Sequence, residues 1–464
     1  MQIVVRVLNL ALGVVVAVAL VRTLGDEGYG QWITALVALE LTGFFMQFGL
    51  ESVVVREAAA DPEREGEWIG ALMLVRALMA GPVVAAAITL VALLADSREM
   101  LIAGIILAVG MPFGGTGGLQ IAFELHVNNR VPMFVLTLKS VLWLAAVLCV
   151  AALDGGLIAL AIALIATNAA GALVLAISAL RLTRIRLRPS RAQLMQLVRV
   201  GAPVGIAGML VLAYARIDQL LVFELAGPAD AGYYGAVYNV LQQGHIVPIS
   251  VMTSLAPIIA GAWAQDRERA LRVVGRGVEL LMVAALGGLA VAIVASDSVV
   301  RLLFGEEFAP AAAALPVLAG AFVFICLGYL TSNLILVTRL QRRLVVVSVV
   351  ALVTNVALNV VLIPPFGFMG AAWTTLGTEV VVVSLSVLFL SRATDLRCLA
   401  TGRLPRVVGA AGALCAVLAG IDALGAPLPV LLATAAVAYP ALLFALGASS
   451  LDEVRALLLR KATA

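Results

Sequence analysis

The chain is a succession of long apolar runs separated by short polar connections. A bilayer core about 30 Å thick is crossed by about 20 apolar helical residues. In lipid only helices and closed barrels satisfy the backbone, and these runs lack the polar–apolar alternation of barrel strands. We therefore predict an all-α polytopic membrane protein with fourteen transmembrane helices. They lie near residues 3–21, 31–54, 68–94, 100–123, 133–152, 157–180, 200–224, 233–260, 277–296, 310–335, 344–363, 367–391, 407–424 and 428–447.

The first run, residues 1–21, has one Arg followed by an apolar stretch, a pattern shared with signal peptides. No small-residue cleavage site leads from it into a soluble domain, and apolar segments continue to the end of the chain. We therefore expect this run to be the first membrane helix.

The composition excludes several classes of protein. Of the 464 residues, 63% are hydrophobic and 12% are charged, whereas soluble domains average about 25% charged residues. Soluble enzymes, nucleic-acid binders and secreted disulfide scaffolds need a polar exterior that this chain lacks. The four cysteines have no CxxC or disulfide spacing, which indicates small core residues. We expect no catalytic residue, no metal site, no bound cofactor and no nucleic-acid partner; the bilayer itself is the expected environment.

The basic residues predict the orientation. Of the 30 Lys and Arg residues, 25 lie on the side of the termini. The opposite side carries only Arg22, Arg98 and Arg301, and its longest connection is about 297–309. Because cytoplasmic loops carry the excess of Lys and Arg, we predict a multi-pass protein of the inner membrane with both termini in the cytoplasm. The short outer connections leave no room for an extracytoplasmic catalytic domain.

Internal similarity predicts two related lobes. LGDEGYGQW (24–32) resembles LAGPADAGYYGAV (225–237), and DPERE (61–65) resembles DRER (266–269). Parallel repeats of six helices keep one orientation and suggest a pseudo-two-fold axis along the membrane normal. The predicted organisation is an N-lobe at 1–180, a basic cytoplasmic linker at 181–199, a C-lobe at 200–391, and two further helices with a cytoplasmic tail at 392–464.

Ionisable groups at membrane depth are costly and usually face a cavity or a partner, so each is a functional candidate. Those within the predicted helices are Glu40, Arg76, Lys139, Arg216, Asp218, His245, Glu279 and Glu379. Glu40, Gln47 and Glu51 share one face of their helix, and a similar polar stripe contains Asn239, Gln242 and Gln243. The two stripes suit a central cavity lined by both lobes.

Each charged candidate also has a structural interpretation. Arg76 and Lys139 lie about two turns inside their helices, where long basic side chains can snorkel to the interface. Arg216 and Asp218 are about 200° apart on an ideal helix and cannot pair simply with each other. A structural Arg216 would pair with an acidic group such as Glu40 or Glu379. Asp218 could form an inter-helix salt bridge, and Glu379 a buried hydrogen-bonding strut.

The glycine-rich stretch GMPFGGTGGL (110–119) lacks the Lys-Ser/Thr of a phosphate loop and lies inside a predicted helix, which favours a packing or kink site. No ATPase motif is present. Any energy input is therefore expected from the membrane potential, the substrate's own gradient, or coupling to H⁺ or Na⁺.

Five stretches of the chain resemble the polysaccharide and O-antigen flippases of the multidrug/oligosaccharidyl-lipid/polysaccharide (MOP) superfamily. They are ALVRTLGDEGYGQW (19–32), FGLESVVVREAA (48–59), RIDQLLVFELAGPADAGYYGAVYNV (216–240), RLLFGEEFAPAAAALPVLA (301–319) and NVALNVVLIPPFGFMGAAWTTLGTEVV (355–381). The last carries an Asn-rich helix, an Ile-Pro turn, a Gly-x-x-Gly-Ala-Ala entry and then Glu379. The resemblance covers about residues 1–391, and the fourteen helices are similar to those of the related lipid II flippases.

The resemblance implies two six-helix bundles around a cavity, alternating access, and an undecaprenyl-diphosphate-linked oligosaccharide as cargo. Other polysaccharide assembly proteins are expected partners. A diphosphate needs Arg or Lys, so Arg76 and Arg216 are the predicted diphosphate contacts. The polar stripes, including Glu40, would serve the glycan. Asp218 and Glu379 are predicted to be ion-coupling or structural.

Three alternatives remain open. A multidrug/cation antiporter of the same superfamily would use buried carboxylates, although Arg76 and Arg216 would repel its cargo. A lipid II flippase would share the mechanism with a different glycan. A polytopic glycosyltransferase or O-antigen ligase would need larger outer loops than this chain has.

Overall fold

The computed structural model of the protein describes residues 2–114, 117–126, 128–187, 189–394, 396 and 401–448. The predicted cytoplasmic tail lies outside the described residues from position 449 onward. Within the described ranges the secondary structure is helical and no strand occurs, which confirms the all-α fold class.

The first nine helices are α1 (Gln2–Gln47), α2 (Leu50–Ala60), α3 (Glu65–Leu94), α4 (Arg98–Gly114), α5 (Gly117–Leu125), α6 (Arg130–Ala152), α7 (Leu157–Leu182), α8 (Arg191–Ala226) and α9 (Pro228–Gly244). The others are α10 (Ile246–Trp263), α11 (Arg267–Phe304), α12 (Ala314–Val337), α13 (Gln341–Phe366), α14 (Phe368–Ser391), α15 (Leu404–Asp422) and α16 (Leu428–Ala445). Two short 3-10 helices, Pro62–Arg64 and Glu306–Ala313, precede α3 and α12.

Thirteen helical segments of the described chain are long and apolar enough to cross a membrane, one fewer than the fourteen predicted. The difference arises at the N-terminus, where the helices predicted at 3–21 and 31–54 fall within α1 and α2, which are counted as one span, Ala11–Ala60. The 46 residues of α1 are more than twice the roughly 20 residues that cross a bilayer core, and they form two helical parts rather than one straight helix. The interruption is a kink at Gly25, whose φ of 70° favours glycine.

The chain divides into two compact units, residues 1–235 and 236–464. In the first unit α1 packs against α3, α6 and α8, and α7 packs against α4 and α6. A buried cluster that includes Leu50, Ile69, Leu72, Ile121 and Leu197 forms its apolar centre. Helix α8, the first of the predicted C-lobe, thus belongs to the first compact unit. The lobe boundaries at 180 and 200 stay a prediction.

In the second unit α14 packs against α12 and α13, and α11 packs against α10, α12 and α15. Its core includes Val278, Leu281, Leu330 and Leu334. The two C-terminal helices α15 and α16 contact each other and α11, so they are integral to this unit.

The segment predicted as a linker, residues 181–199, packs directly against the backbone of α3. Arg186 donates its N–H to the Gly66 carbonyl at 2.9 Å. A Cβ atom at Gly66 or Gly70 would collide with the carbonyl oxygens of Arg184 and Arg186, so both positions require glycine for this close approach. Helix α8 begins at Arg191, inside the predicted linker, because Ser190 forms a capping box with Gln193.

The segments that resemble each other in sequence also share backbone conformation. Asp61 has φ −139° and ψ 86°, and Asp266 has φ −146° and ψ 86°. Gly25 has φ 70° and ψ −173°, and Gly227 has φ 93° and ψ 176°. The two halves of the chain therefore reuse the same helix-start and helix-break geometry.

Candidate functional site

Arg76 is anchored inside the first unit. Its side chain is only 9% exposed, and its Nη2 lies 2.5 Å from Oε1 of Glu51 on α2. Its Nε donates to the Met46 carbonyl at 3.2 Å. That carbonyl lies at the break between α1 and α2, where the last carbonyls of a helix have no partner in the helix itself. Arg76 therefore joins α3 to the ends of two other helices, and its guanidinium is held in a buried contact.

Arg216 on α8 pairs with Glu40 on α1. The Nε–Oε2 distance is 2.9 Å, with 17% of the Arg216 side chain and 42% of the Glu40 side chain exposed. Gln47, further along α1, is also exposed. Glu40 is one of the two acidic partners that the sequence suggested for Arg216. This pair therefore combines opposite charges with partial exposure of both side chains.

Asp218 has a different partner from Arg216, as their angular separation predicts. Its carboxylate is 2% exposed and accepts a short hydrogen bond from the hydroxyl of Tyr234 on α9. It also accepts from the backbone N–H of Gln219 at 2.9 Å, and the Gln219 amide donates to the Ala231 carbonyl at 3.0 Å. Asp218 therefore joins α8 to α9 through hydrogen bonds.

The second polar stripe lies on α9 in the second unit. Asn239, Gln242 and Gln243 are half-buried, and the Gln243 amide donates to Oδ1 of Asn239 at 3.3 Å. The stripe ends where α9 stops at Gly244. His245 follows, with Nδ1 3.4 Å from the Tyr329 hydroxyl. The side chains of Asn239, Gln242 and Gln243 supply uncharged amide groups of the kind that bind hydroxyls.

Glu379 lies on α14 in the second unit and is 9% exposed. A Cβ built at Gly328 on α12 would lie 3.9 Å from its Oε2. Among the described residues no hydrogen bond or ion pair involves Glu379. On α13, which also packs against α14, Asn359 donates to Asn355 at 2.9 Å. The buried carboxyl is thus in a polar region that holds no adjacent basic partner in the described structure.

The structure brings together two predicted site residues, Glu40 and Arg216. It places Arg76 and Asp218 in separate buried contacts. Gln47 is exposed, and the α9 stripe and Glu379 lie in the second unit. Their roles as cavity or coupling residues stay predictions. Among the described residues no group of three His, Cys, Asp or Glu side chains is arranged to hold a metal ion.

Sequence reasoning missed two contacts of the first unit. Tyr233 donates its hydroxyl to Asp26 at 2.7 Å, and a Cβ at Gly30 would collide with the Pro228 carbonyl. The signal was present, because both partners lie in the segments 24–32 and 225–237 that resemble each other. These two related segments contact each other directly at the kink of α1.

A family model described as "Polysaccharide biosynthesis protein" matches residues 19–313. A probable flippase, AglR of Haloferax volcanii, is 25% identical over 186 residues, which is 39% of this chain and 39% of that relative. The alignment thus spans well under two thirds of the relative's length.

The fold is similar to that of two solved transporters. Lipid II flippase MurJ in an inward closed conformation has a TM-score of 0.75 at 10% identity, covering 95% of this chain and 97% of that chain. An inward-facing multidrug resistance MATE family transporter of the MOP superfamily has a TM-score of 0.67 at 14% identity, covering 83% and 94%. Since the family model matches well over half of the chain, this protein belongs to the polysaccharide biosynthesis protein family and has the fold of the MOP superfamily.

Proposed function

We propose that the protein is a flippase that moves an undecaprenyl-diphosphate-linked oligosaccharide from the cytoplasmic to the outer leaflet by alternating access. The observation that carries the proposal is the Arg216–Glu40 pair, whose carboxylate is 42% exposed and lies on the apolar part of α1 that follows the break at Gly25. A charged group in contact with lipid tails is costly. An exposed ion pair at this depth therefore supports a hydrated path through the first unit.

The cargo would meet different groups in each unit. The glycan needs amides and hydroxyls, which Asn239, Gln242 and Gln243 offer, while the lipid tail stays in the bilayer. The diphosphate needs a cation with several donors, and a guanidinium provides this geometry. Arg216 remains accessible enough to serve, whereas Arg76 is more deeply buried.

We assign ion coupling to Glu379 rather than to Asp218. Asp218 already accepts hydrogen bonds from Tyr234 and the Gln219 backbone. Glu379 has no such donor among the described residues, so a proton or a Na⁺ ion would neutralise it. The protein would act in the inner membrane with cytoplasmic termini, beside other polysaccharide assembly proteins and without a catalytic step of its own.

The proposal is tested by deleting the gene in a strain that has no second flippase. Surface polysaccharide should disappear while lipid-linked precursor accumulates on the cytoplasmic leaflet, and the wild-type chain should restore both. Normal polysaccharide in the deletion strain would reject the proposal. Restored resistance to amphipathic cations, with no effect on the precursor, would identify the antiporter of the same superfamily instead.

A further inference from the structure

Lys139 lies inside the first unit, nine residues after the start of α6 at Arg130. This is about 14 Å along the helix, near the middle of a bilayer core about 30 Å thick. Its aliphatic stem fills a notch on α7, since a Cβ at Gly171 would lie 2.6 Å from both Cγ and Cδ of the lysine. The stem is therefore held between two helices.

Lys139 lies beside residues of α6 that pack against other helices. Val135, one turn earlier, is buried and faces the same Gly171 notch. Trp143, one turn later, stacks on Trp32 of α1 with ring centroids 6.2 Å apart. The exposed apolar residues Phe134, Val141 and Leu148 recur every seven positions on another face. Leu136 and Leu142, three residues before and after Lys139, are also exposed, so Lys139 lies at the edge between the packed and the exposed faces of α6.

Lys139 differs from Arg76 and Arg216 in its partners. Arg76 and Arg216 each have a carboxylate within 3 Å. Within the part of the chain that the structure describes, Lys139 has no hydrogen bond and no ion pair. A charged ammonium at membrane depth is costly without an anion or water, so Lys139 is available to an anionic ligand from outside the described chain.

We propose that Lys139 is a phosphate-binding residue, and that its ligand is the phosphate group of a lipid carried by the protein. The proposal rests on the proposed function in one respect, because that function makes a lipid-linked diphosphate the cargo. A phosphate oxygen accepts strong charge-assisted hydrogen bonds from an ammonium. The Gly171 notch holds the stem between α6 and α7, which limits the positions that the ammonium can reach.

The test measures lipid binding to the purified full-length protein in detergent by native mass spectrometry. The probes are undecaprenyl diphosphate, undecaprenol without phosphate, and phosphatidylglycerol. Lys139→Gln should weaken binding of undecaprenyl diphosphate about tenfold or more and leave undecaprenol unchanged. Lys139→Arg should retain most of the affinity, because it keeps the charge.

Two glycine variants separate position from charge. Gly171→Ala keeps the lysine but displaces its flexible stem, and it should also weaken undecaprenyl diphosphate binding. Gly81→Ala is the matched control, since a Cβ there has open space around it, and it should bind as the wild type does. Both variants leave the net charge unchanged.

The phosphatidylglycerol arm identifies the source of the phosphate. A loss confined to undecaprenyl diphosphate supports the cargo phosphate, and an equal loss for phosphatidylglycerol overturns the cargo assignment in favour of a headgroup. Unchanged binding of both lipids by Lys139→Gln overturns the inference altogether. If the wild type binds phosphate lipids through Lys139 but the deletion strain makes normal polysaccharide, the proposed function fails while the phosphate site stands.

Discussion

The two compact units differ in the partners of the polar groups within their helices. In the first unit two guanidinium groups are joined to carboxylates of other helices, Arg76 to Glu51 and Arg216 to Glu40. In the second unit the buried polar groups are amides, hydroxyls and the carboxyl of Glu379, for which no ion pair occurs among the described residues. The first unit joins helices through opposite charges, whereas the buried carboxyl of Glu379 in the second unit has no such partner within the described chain.

The contrast separates structural charges from candidates for transport. An ion pair between helices resists change, because removing one partner leaves a costly charge in an apolar environment. Replacing a carboxyl that has no fixed partner breaks no ion pair, so it should cost little folded stability. Variants of these residues should therefore differ in how much folded stability they lose, from the largest loss at the most buried ion pair to the smallest at Glu379.

The largest effect is expected for Glu51→Leu. This change leaves the buried guanidinium of Arg76 without the Glu51 carboxylate and should cost about 3–5 kcal/mol of folded stability. Arg76→Met should cost less, about 1–3 kcal/mol, because Glu51 is half-exposed and water can solvate it. Thermal unfolding of the purified variants in detergent measures both values.

The double variant Glu51→Leu/Arg76→Met is the control for this asymmetry. It removes both charges and should be more stable than Glu51→Leu alone. Equal losses from the two single variants would show that burial of Arg76 does not set the cost.

A smaller change in stability is expected at Arg216. Since Glu40 is 42% exposed, water screens the pair, and Arg216→Gln should cost about 1 kcal/mol or less. Transport should nevertheless be lost if the guanidinium contacts the diphosphate, while Arg216→Lys retains part of it. Membrane yield and flipping of lipid-linked oligosaccharide are measured side by side.

The charge swap Arg216→Glu/Glu40→Arg separates the two roles of this residue. It restores an ion pair between α8 and α1 but moves the cation to another helix. Normal yield with absent transport supports a substrate contact. Normal transport by the swap, or by Arg216→Gln, would reduce Arg216 to a helix-packing residue.

Much of the fold could be predicted from the sequence, because hydropathy acts locally. The predicted helices at 157–180 and 367–391 correspond closely to α7 (Leu157–Leu182) and α14 (Phe368–Ser391). Breaks inside apolar runs were missed, because a helix break at a glycine leaves the hydropathy of the run almost unchanged. Gly49, with φ 70°, separates α1 from α2, and α9 ends at Gly244 within the helix predicted at 233–260.

The site was harder to predict because its contacts join distant positions. Glu40 and Arg216 are 176 residues apart, and the sequence offered Glu379 as an equal alternative. The bond from Tyr234 to Asp218 depends on how α9 turns back after Gly227. The Gly171 notch that holds Lys139 becomes visible only when α6 and α7 are packed together.

The smallest effect on stability is expected for Glu379→Gln. No hydrogen bond or ion pair of Glu379 is lost within the described chain, and a neutral amide of the same size replaces a buried carboxyl. Folded stability should change by less than about 1 kcal/mol, in contrast to Glu51→Leu. If Glu379 couples transport, the variant should still bind lipid but its flipping rate in proteoliposomes should no longer respond to an imposed H⁺ or Na⁺ gradient. Glu279→Gln is the matched control, because this carboxylate of the same unit lies 3.8 Å from Arg403, and it should keep the gradient response. A loss of several kcal/mol in Glu379→Gln would make Glu379 a structural strut, and the contrast between the two units would then disappear.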